Sequence, residues 1–293
     1  MMREYVAFYC FNSSKSRFQL KSPYIFDTNM QSYDSTYLEI FTHSIGACLA
    51  YLPKFGKGNE GLNLEAFQEM YANDPLYQWF GLGSPRIYAA HRAAGGITSI
   101  YRQIGIACQA LFRRILQDQL SLLPEQITWS YEVSTTSGKR RKLALDARIN
   151  LSDVQDEQKK QRIRGWLDKA ASVVELHDSA IQRVNGIVFE IRQGYKSKDS
   201  KRQNADLEHA IRAYSEGYLP VIMLFSQQID RDVARRYQEN FWLLLQGELE
   251  GEDTKSTYVF CRDIIGYDVA AFFQRNAESI RKEVENVLNQ LLS

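Results

Sequence analysis

Two carboxylates sit in stretches whose alternation leaves little room for charge. In LALDARINL, Asp146 interrupts the apolar series Leu143, Leu145, Ala147 and Ile149, on the opposite face and beside Arg148. In GIVFEIRQ, Glu190 and Arg192 share one face by the two-residue period of a strand, while Phe189 and Ile191 take the other. If the two strands are neighbours, the acids converge. A pair of carboxylates suits Mg²⁺, a hard cation that keeps several waters and is held by one or two carboxylates plus a substrate phosphate. Such an ion activates water and neutralises charge developing on phosphorus, so the chemistry indicated is phosphodiester hydrolysis. The competing account is that both acids simply make ion pairs with Arg148, Arg192 or neighbouring lysines.

Arg192 cannot surrender a proton near neutral pH, so it is able to position or neutralise a phosphate but not to act as a base. Lys196 or Lys198, in the turn GYKSKDSKRQ, would supply an amine in its place. Asp206 and Glu208 follow as further candidate ligands, ranked lower because acids in a first helical turn are common for capping reasons alone.

These residues need strands to hold them. ITWSYEVSTTSGKRRKLALDARINL alternates as two strands, with Ile127, Trp129, Tyr131 and Val133 on one face of the first, and Gly138 for the turn of a hairpin. Its tip carries Lys139, Arg140, Arg141 and Lys142, a run suited either to touching phosphates or to a solvated hairpin tip. Before it, Ile97, Ile100, Tyr101, Ile104, Cys108, Leu111, Phe112, Ile115 and Leu116 recur at helical steps, so a helix is expected from His91 onward. Gly95 and Gly96 in that helix indicate a close backbone approach or a loop end. Arg102, Gln103 and Gln109 are expected to face solvent. A charged helix within residues 153–179 separates the hairpin from GIVFEIRQ. The helix NADLEHAIRAYSEG, with Leu207, Ala210, Ile211 and Tyr214 as its buried stripe, then leads into the apolar YLPVIMLFS. Strand, helix, strand reads as a right-handed crossover, making the last two strands parallel neighbours in a mixed sheet.

The rest of the chain sets bounds. Its 293 residues with 44% hydrophobic and 24% charged composition describe a globular protein, read as one core with additions. The formal net charge of +1 gives no global basic signature, so nucleic-acid contact would rest on local clusters. Cys10, Cys48, Cys108 and Cys261 lack zinc or disulfide-framework spacing and are expected to be reduced. Four dispersed histidines, and the absence of a glycine-rich phosphate loop, HExxH or GxSxG, argue against the common alternative chemistries. No stretch reaches the roughly 20 apolar residues of a membrane span, and the expected compartment is the cytoplasm. Residues 1–90 are taken as an aromatic-rich N-terminal addition, 91–228 as the core, and 229–293 as a helical extension. The extension comprises DRDVARRYQENFWLLL and a last helix striped by Ile280, Val284, Val287, Leu288 and Leu291.

The order helix, hairpin with an acid on its second strand, third strand with an acid two residues before a base, helix, strand resembles the αβββαβ core of the PD-(D/E)xK nucleases. Two departures stand out: Leu145 precedes Asp146 where that pattern has proline, and Arg192 replaces its lysine. The segments HRAAGGITSIYRQIGIAC, EIRQGYKSKDSKRQNAD and YLPVIMLFSQQIDRDVARRY resemble type II restriction endonucleases of the ApaLI-like group, over roughly residues 90–250. This resemblance implies an α/β restriction-endonuclease-like core. It also implies a homodimeric Mg²⁺-dependent enzyme that cuts both strands of double-stranded DNA at a short palindrome, GTGCAC in that group's prototype. A cognate DNA methyltransferase would be its genetic partner. Asp146 and Glu190 would bind the metal, with Arg192, Lys196 and Lys198 as the cationic candidates. Lys139, Arg140, Arg141, Lys201 and Arg202 would grip the backbone, and Gln203 and Asn204 are candidate base readers, Asn204 equally a helix cap. A two-fold dimer fits a palindrome because each subunit offers one half-site the same surface. Two alternatives remain: a repair or recombination nuclease on the same core, and a DNA-binding domain without catalysis.

Overall fold

The computed structural model describes residues 32–55, 60–134, 140–195 and 200–292. Helix α1 (Asp34–Gly46) is followed by α2 (Leu64–Ala72), the short α3 (Pro75–Trp79) and the 36-residue α4 (Pro85–Leu120). The start of α4 lies before His91, where the apolar period begins. Ser84 caps it by accepting from the Ile87 amide, and Pro85 takes the first turn, where its missing N–H costs nothing. Gly95 and Gly96 lie inside the helix and serve close approach. A Cβ at Gly96 would stand 2.5 Å from Leu291, and one at Gly95 1.8 Å from the Tyr51 hydroxyl.

Strands β1 (Trp129–Ser134) and β2 (Arg140–Leu145) pair antiparallel as the expected hairpin, forming a sheet of their own. Next come β3 (Ala147–Asn150), α5 (Glu157–Val173), the single turn α6 (Asp178–Ile181), β4 (Gly186–Arg192), α7 (Ser200–Ser215), β5 (Tyr218–Leu224), α8 (Arg231–Glu239) and β6 (Leu243–Leu245). The main sheet has the order β3-β4-β5-β6, with β3 antiparallel to β4 and the other pairs parallel. It is a mixed sheet flanked by helices, and the protein is of the α/β class.

Every residue of β4 is buried, as befits a strand covered on both faces. Ile187, Phe189 and Ile191 join Leu111, Phe112 and Ile115 of α4 and Ile163, Trp166 and Leu167 of α5 in one core. Val188 joins Trp129, Tyr131 and Leu145 of the hairpin, Ala210 and Ala213 of α7, Ile222, Leu224 and Trp242 in the other.

Three sequence expectations are corrected. Leu143, Leu145, Ala147 and Ile149 do not share one face, because the chain bends at Asp146 between β2 and β3. Leu145 stays in the hairpin's core, while Ala147 and Ile149 enter the core under α4. Among the described side chains of α7 the buried ones are Asp206, His209, Ala210 and Ala213, spaced i, i+3, i+4, i+7; of the expected stripe Ala210 is buried, Tyr214 is partly buried against the core, Ile211 is 75% exposed, and the Leu207 side chain lies outside the described residues. The helix turns its acid inward because a buried cation, Arg192, meets it there. Finally, segment 229–293 is not helical throughout: the chain takes a left-handed step at Phe241 (φ 61°), and Leu243–Leu245 joins β5 as a sheet strand. Beyond it, a helical turn (Thr257–Val259) runs into a π-helical stretch (Phe260–Ile265), and α9 (Val269–Leu292) closes the chain. Val287 and Leu291 of α9 bury into the same core as α1 and α4, and Arg275 grips Asp34 of α1 at 2.7 Å. No described helix is long and apolar enough to cross a membrane. Cys48, Cys108 and Cys261 are buried free thiols, and burial pushes the Cys108 thiol up to about 12.

Candidate active site

Asp146 occupies the single position between β2 and β3, so its backbone is free to leave one sheet and enter the other. Its N–H donates to the Phe189 carbonyl at 2.8 Å, which pins the bend to β4. Its Oδ2 accepts from the Ile191 amide at 2.8 Å, the carboxylate standing in for a backbone acceptor at the sheet's margin. Two side chains one turn apart on α4 complete the setting. Gln109 Nε2 donates to Oδ2 at 3.1 Å and to the Ile191 carbonyl at 3.2 Å. Arg113 Nε donates to the Asp146 carbonyl, and its Nη2 lies 3.6 Å from Oδ1. The Asp146 side chain is 17% exposed and that of Arg113 39%, so the acid can be reached from solvent.

Glu190 lies on the neighbouring strand. Ala147 pairs with Phe189, so continuing the antiparallel register by one residue sets Asp146 beside Glu190. The structure therefore brings the two predicted acids into register. It also assigns their side chains to different helices, Asp146 toward α4 and Glu190 toward α7. Glu190 Oε1 meets Arg192 Nη2 at 3.0 Å, and the same nitrogen lies 2.8 Å from Asp206 Oδ2. Tyr237 of α8 donates its hydroxyl to that Asp206 oxygen and meets the Tyr195 hydroxyl at 2.9 Å. The Arg192 guanidinium lies 4.6 Å over the Tyr195 ring.

Electrostatics in this cluster run as its burial dictates. Burial opposes the Arg192 charge, but Glu190 and Asp206 more than offset it and hold its pKa above the usual arginine value. Burial, with Asp206 beside it, drives the Tyr237 phenol well above its ordinary value, so it stays a hydrogen-bond donor. His209, bonded through Nδ1 to the Tyr131 hydroxyl at 3.1 Å, is held below the ordinary histidine value. Burial is the main cause there, with Arg141 adding to it and Asp206 and Glu208 opposing it.

Of the basic candidates, Arg140 and Arg141 are exposed on β2, Arg140 3.5 Å from Glu132 across the hairpin. Lys139, Lys196 and Lys198 lie outside the described residues. So do the side chains of Lys201, Arg202, Gln203 and Asn204, although their backbone belongs to α7.

Sequence reasoning missed four participants. Gln109, expected to face solvent, is half-buried against Asp146, and Arg113, Tyr195 and Tyr237 drew no attention. A signal existed for the first two. Gln109 and Arg113 border the apolar face set by Cys108, Leu111, Phe112 and Ile115, which is where a helix meets the edge of what it covers. Tyr195 and Tyr237 meet only through the tertiary fold.

No family model, curated protein or solved structure matches the chain. The site stands on its own geometry. Among the described residues there is no group of three His, Cys, Asp or Glu side chains placed to hold a metal ion. The two acids are in backbone register on adjacent strands, but Asp146 turns toward Gln109 and Arg113 of α4 and Glu190 toward Arg192 and Asp206 on the α7 side, so the expected convergence of the two side chains on one face is not what the register alone produces. As oxygen donors, carboxylates are the ligand type that Mg²⁺ takes together with waters and a substrate phosphate.

Proposed function

We propose that the chain is a Mg²⁺-dependent endonuclease with a PD-(D/E)xK-type core, acting as a type II restriction enzyme on double-stranded DNA. The observation that carries this reading is the β3–β4 register, which sets the Asp146 backbone beside Glu190 at the edge of the main sheet, in a chain whose elements follow the order α4, β1, β2, β3, β4, α7, β5. Asp146 and Glu190 are the residues that would hold the ion. When bound, Mg²⁺ activates water and offsets charge on the scissile phosphate.

The other side chains have roles that follow from their positions. Arg192, between Glu190 and Asp206, holds the Glu190 carboxylate in place instead of reaching for DNA. Lys196 or Lys198 is the candidate for the amine that serves the phosphate. Arg140 and Arg141 on the exposed hairpin, with Lys139, Lys201 and Arg202, take backbone phosphates, and Gln203 and Asn204 read base edges. A homodimer presents these surfaces to the two halves of a palindrome, and a methyltransferase protects the host's own sites.

One observation favours a second reading. Arg192, standing where this class carries a lysine, is only 7% exposed and committed to two acids, as it would be in a DNA-binding domain that had lost catalysis. Digestion of unmethylated phage DNA by the purified protein separates the possibilities. Discrete fragments that require Mg²⁺ support restriction, and a smear or junction-selective cutting supports a repair nuclease. Retained DNA binding without cleavage in Mg²⁺ or Mn²⁺ supports the inactive domain.

A further inference from the structure

A cleft of about 510 Å³ opens between α4 and the segment 50–54, and none of the residues lining it belongs to the carboxylate centre. Its α4 wall is Gly95, Thr98, Ser99 and Arg102, spaced i, i+3, i+4, i+7 and therefore on one face of the helix. Tyr51 and Lys54 stand on the facing wall. That wall is held in place: Gly61 backs so closely on Leu52 that a Cβ would stand 2.5 Å away, and the Leu62 amide donates to the Pro53 carbonyl at 2.9 Å. The lining includes two cations and no acid. Lys54 and Arg102 are both exposed, and among the described residues neither meets a carboxylate. Tyr51 adds a third donor. Its ring packs on the core and its hydroxyl lies over Gly95, where a Cβ would come 1.8 Å from that oxygen. The hydroxyls of Thr98 and Ser99 turn to the protein, the first donating to the Ala94 carbonyl at 3.2 Å and the second meeting the Cys48 thiol at 3.4 Å. An arginine fork, an ammonium and a phenol suit a phosphate group, which accepts from several directions and gains most from charged donors. The volume exceeds what one phosphate fills and lies in the range of small-molecule sites, leaving room for the nucleotide that carries it.

We propose that this cleft is a phosphate-binding subsite, with Lys54, Arg102 and the Tyr51 hydroxyl as its donors and a nucleotide phosphate as its ligand, carried on a DNA strand or on a free mononucleotide. It makes no use of Asp146 or Glu190, so it stands or falls independently of the metal-dependent reading.

The test titrates the full chain, in EDTA so that no cutting intervenes, with a short labelled DNA duplex and separately with adenosine monophosphate, and records the melting temperature of every variant. Lys54→Gln and Arg102→Gln each remove an exposed charge, and Tyr51→Phe removes only the hydroxyl. With DNA as the source, each charge variant weakens duplex binding about tenfold and lowers its salt slope by about one, at little change in melting temperature. With a free nucleotide as the source, duplex binding is unaffected and adenosine monophosphate binding, followed by calorimetry, weakens about tenfold instead. In either case Tyr51→Phe weakens the responding probe about threefold or more. Wild-type protein that binds neither probe, or charge variants that bind both within about twofold of wild type, would overturn the proposal. So would weakened charge variants beside an unchanged Tyr51→Phe, which would reduce the cleft to ordinary surface charge.

Discussion

The two faces of β4 are equally buried and differ in what they bury. Toward α4 and α5 the strand presents Ile187, Phe189 and Ile191, and nothing in that layer needs a partner beyond close packing. Toward α7 it presents Val188, Glu190 and Arg192, and the last two draw Asp206, Tyr195 and Tyr237 into a hydrogen-bonded cluster. Burying a charge is costly unless it is paired, and removing one partner of a buried pair costs more than the pair contributes. An all-apolar second face would have served stability as well. The acid and base that the central strand carries there, beside a bend that sets a second acid in register, are the features on which the proposed function rests.

The largest expected effect breaks the apolar face. Phe189→Ala removes a fully buried ring that packs on Phe112 and Phe260, and is expected to cost about 3–5 kcal/mol of unfolding free energy in urea titration. On the polar face, Arg192→Met is expected to cost a similar amount, about 3–5 kcal/mol at pH 7, because it removes the buried cation that Glu190 and Asp206 both meet.

Smaller effects sharpen the contrast. Tyr237→Phe removes the donor to Asp206 and the bond to Tyr195 while preserving the ring, and should lower stability by about 1–3 kcal/mol, since it leaves a buried acceptor without that bond. The smallest effect concerns His209. Its pKa is depressed in the folded protein, so the unfolded chain binds the proton more readily. The stability it contributes is fully present above the ordinary histidine value and is lost as pH falls through and below it. His209→Gln should flatten the thermal stability profile between pH 7 and pH 5, and an unchanged slope would place the titration elsewhere.

How much of this was legible in the sequence follows from the range of the interactions involved. The hairpin, the parallel β4–β5 pair and the long helix α4 were readable because period and connection are local properties. The bend at Asp146 was not. The alternation through LALDARINL is unbroken in letters, and the crossing from one sheet to the other depends on Phe189 and Ile127 accepting backbone bonds from Asp146 and Arg148. WLLL read as the continuation of a helix because three leucines carry no period, and only pairing with β5 makes them a strand. Asp146, Glu190 and Arg192 were visible as charges in apolar strands, and Asp206 as a weaker candidate. Their assignment was not visible: Arg192 meets Asp206 across 14 residues, Tyr237 meets Asp206 across 31, and Gln109 meets Asp146 across 37.

The central claim is that Asp146 and Glu190 together form a carboxylate centre that cuts DNA with a divalent ion. Glu190→Gln tests it most directly, because the substitution keeps the shape of the side chain and removes only its charge. Cleavage of unmethylated DNA at saturating Mg²⁺ and the melting temperature would be measured on the same preparation. The account predicts that cleavage falls by at least about a thousandfold, equivalent to about 4 kcal/mol of lost transition-state stabilisation, in a protein that remains folded. A folded Glu190→Gln protein that cuts at the wild-type rate would contradict it.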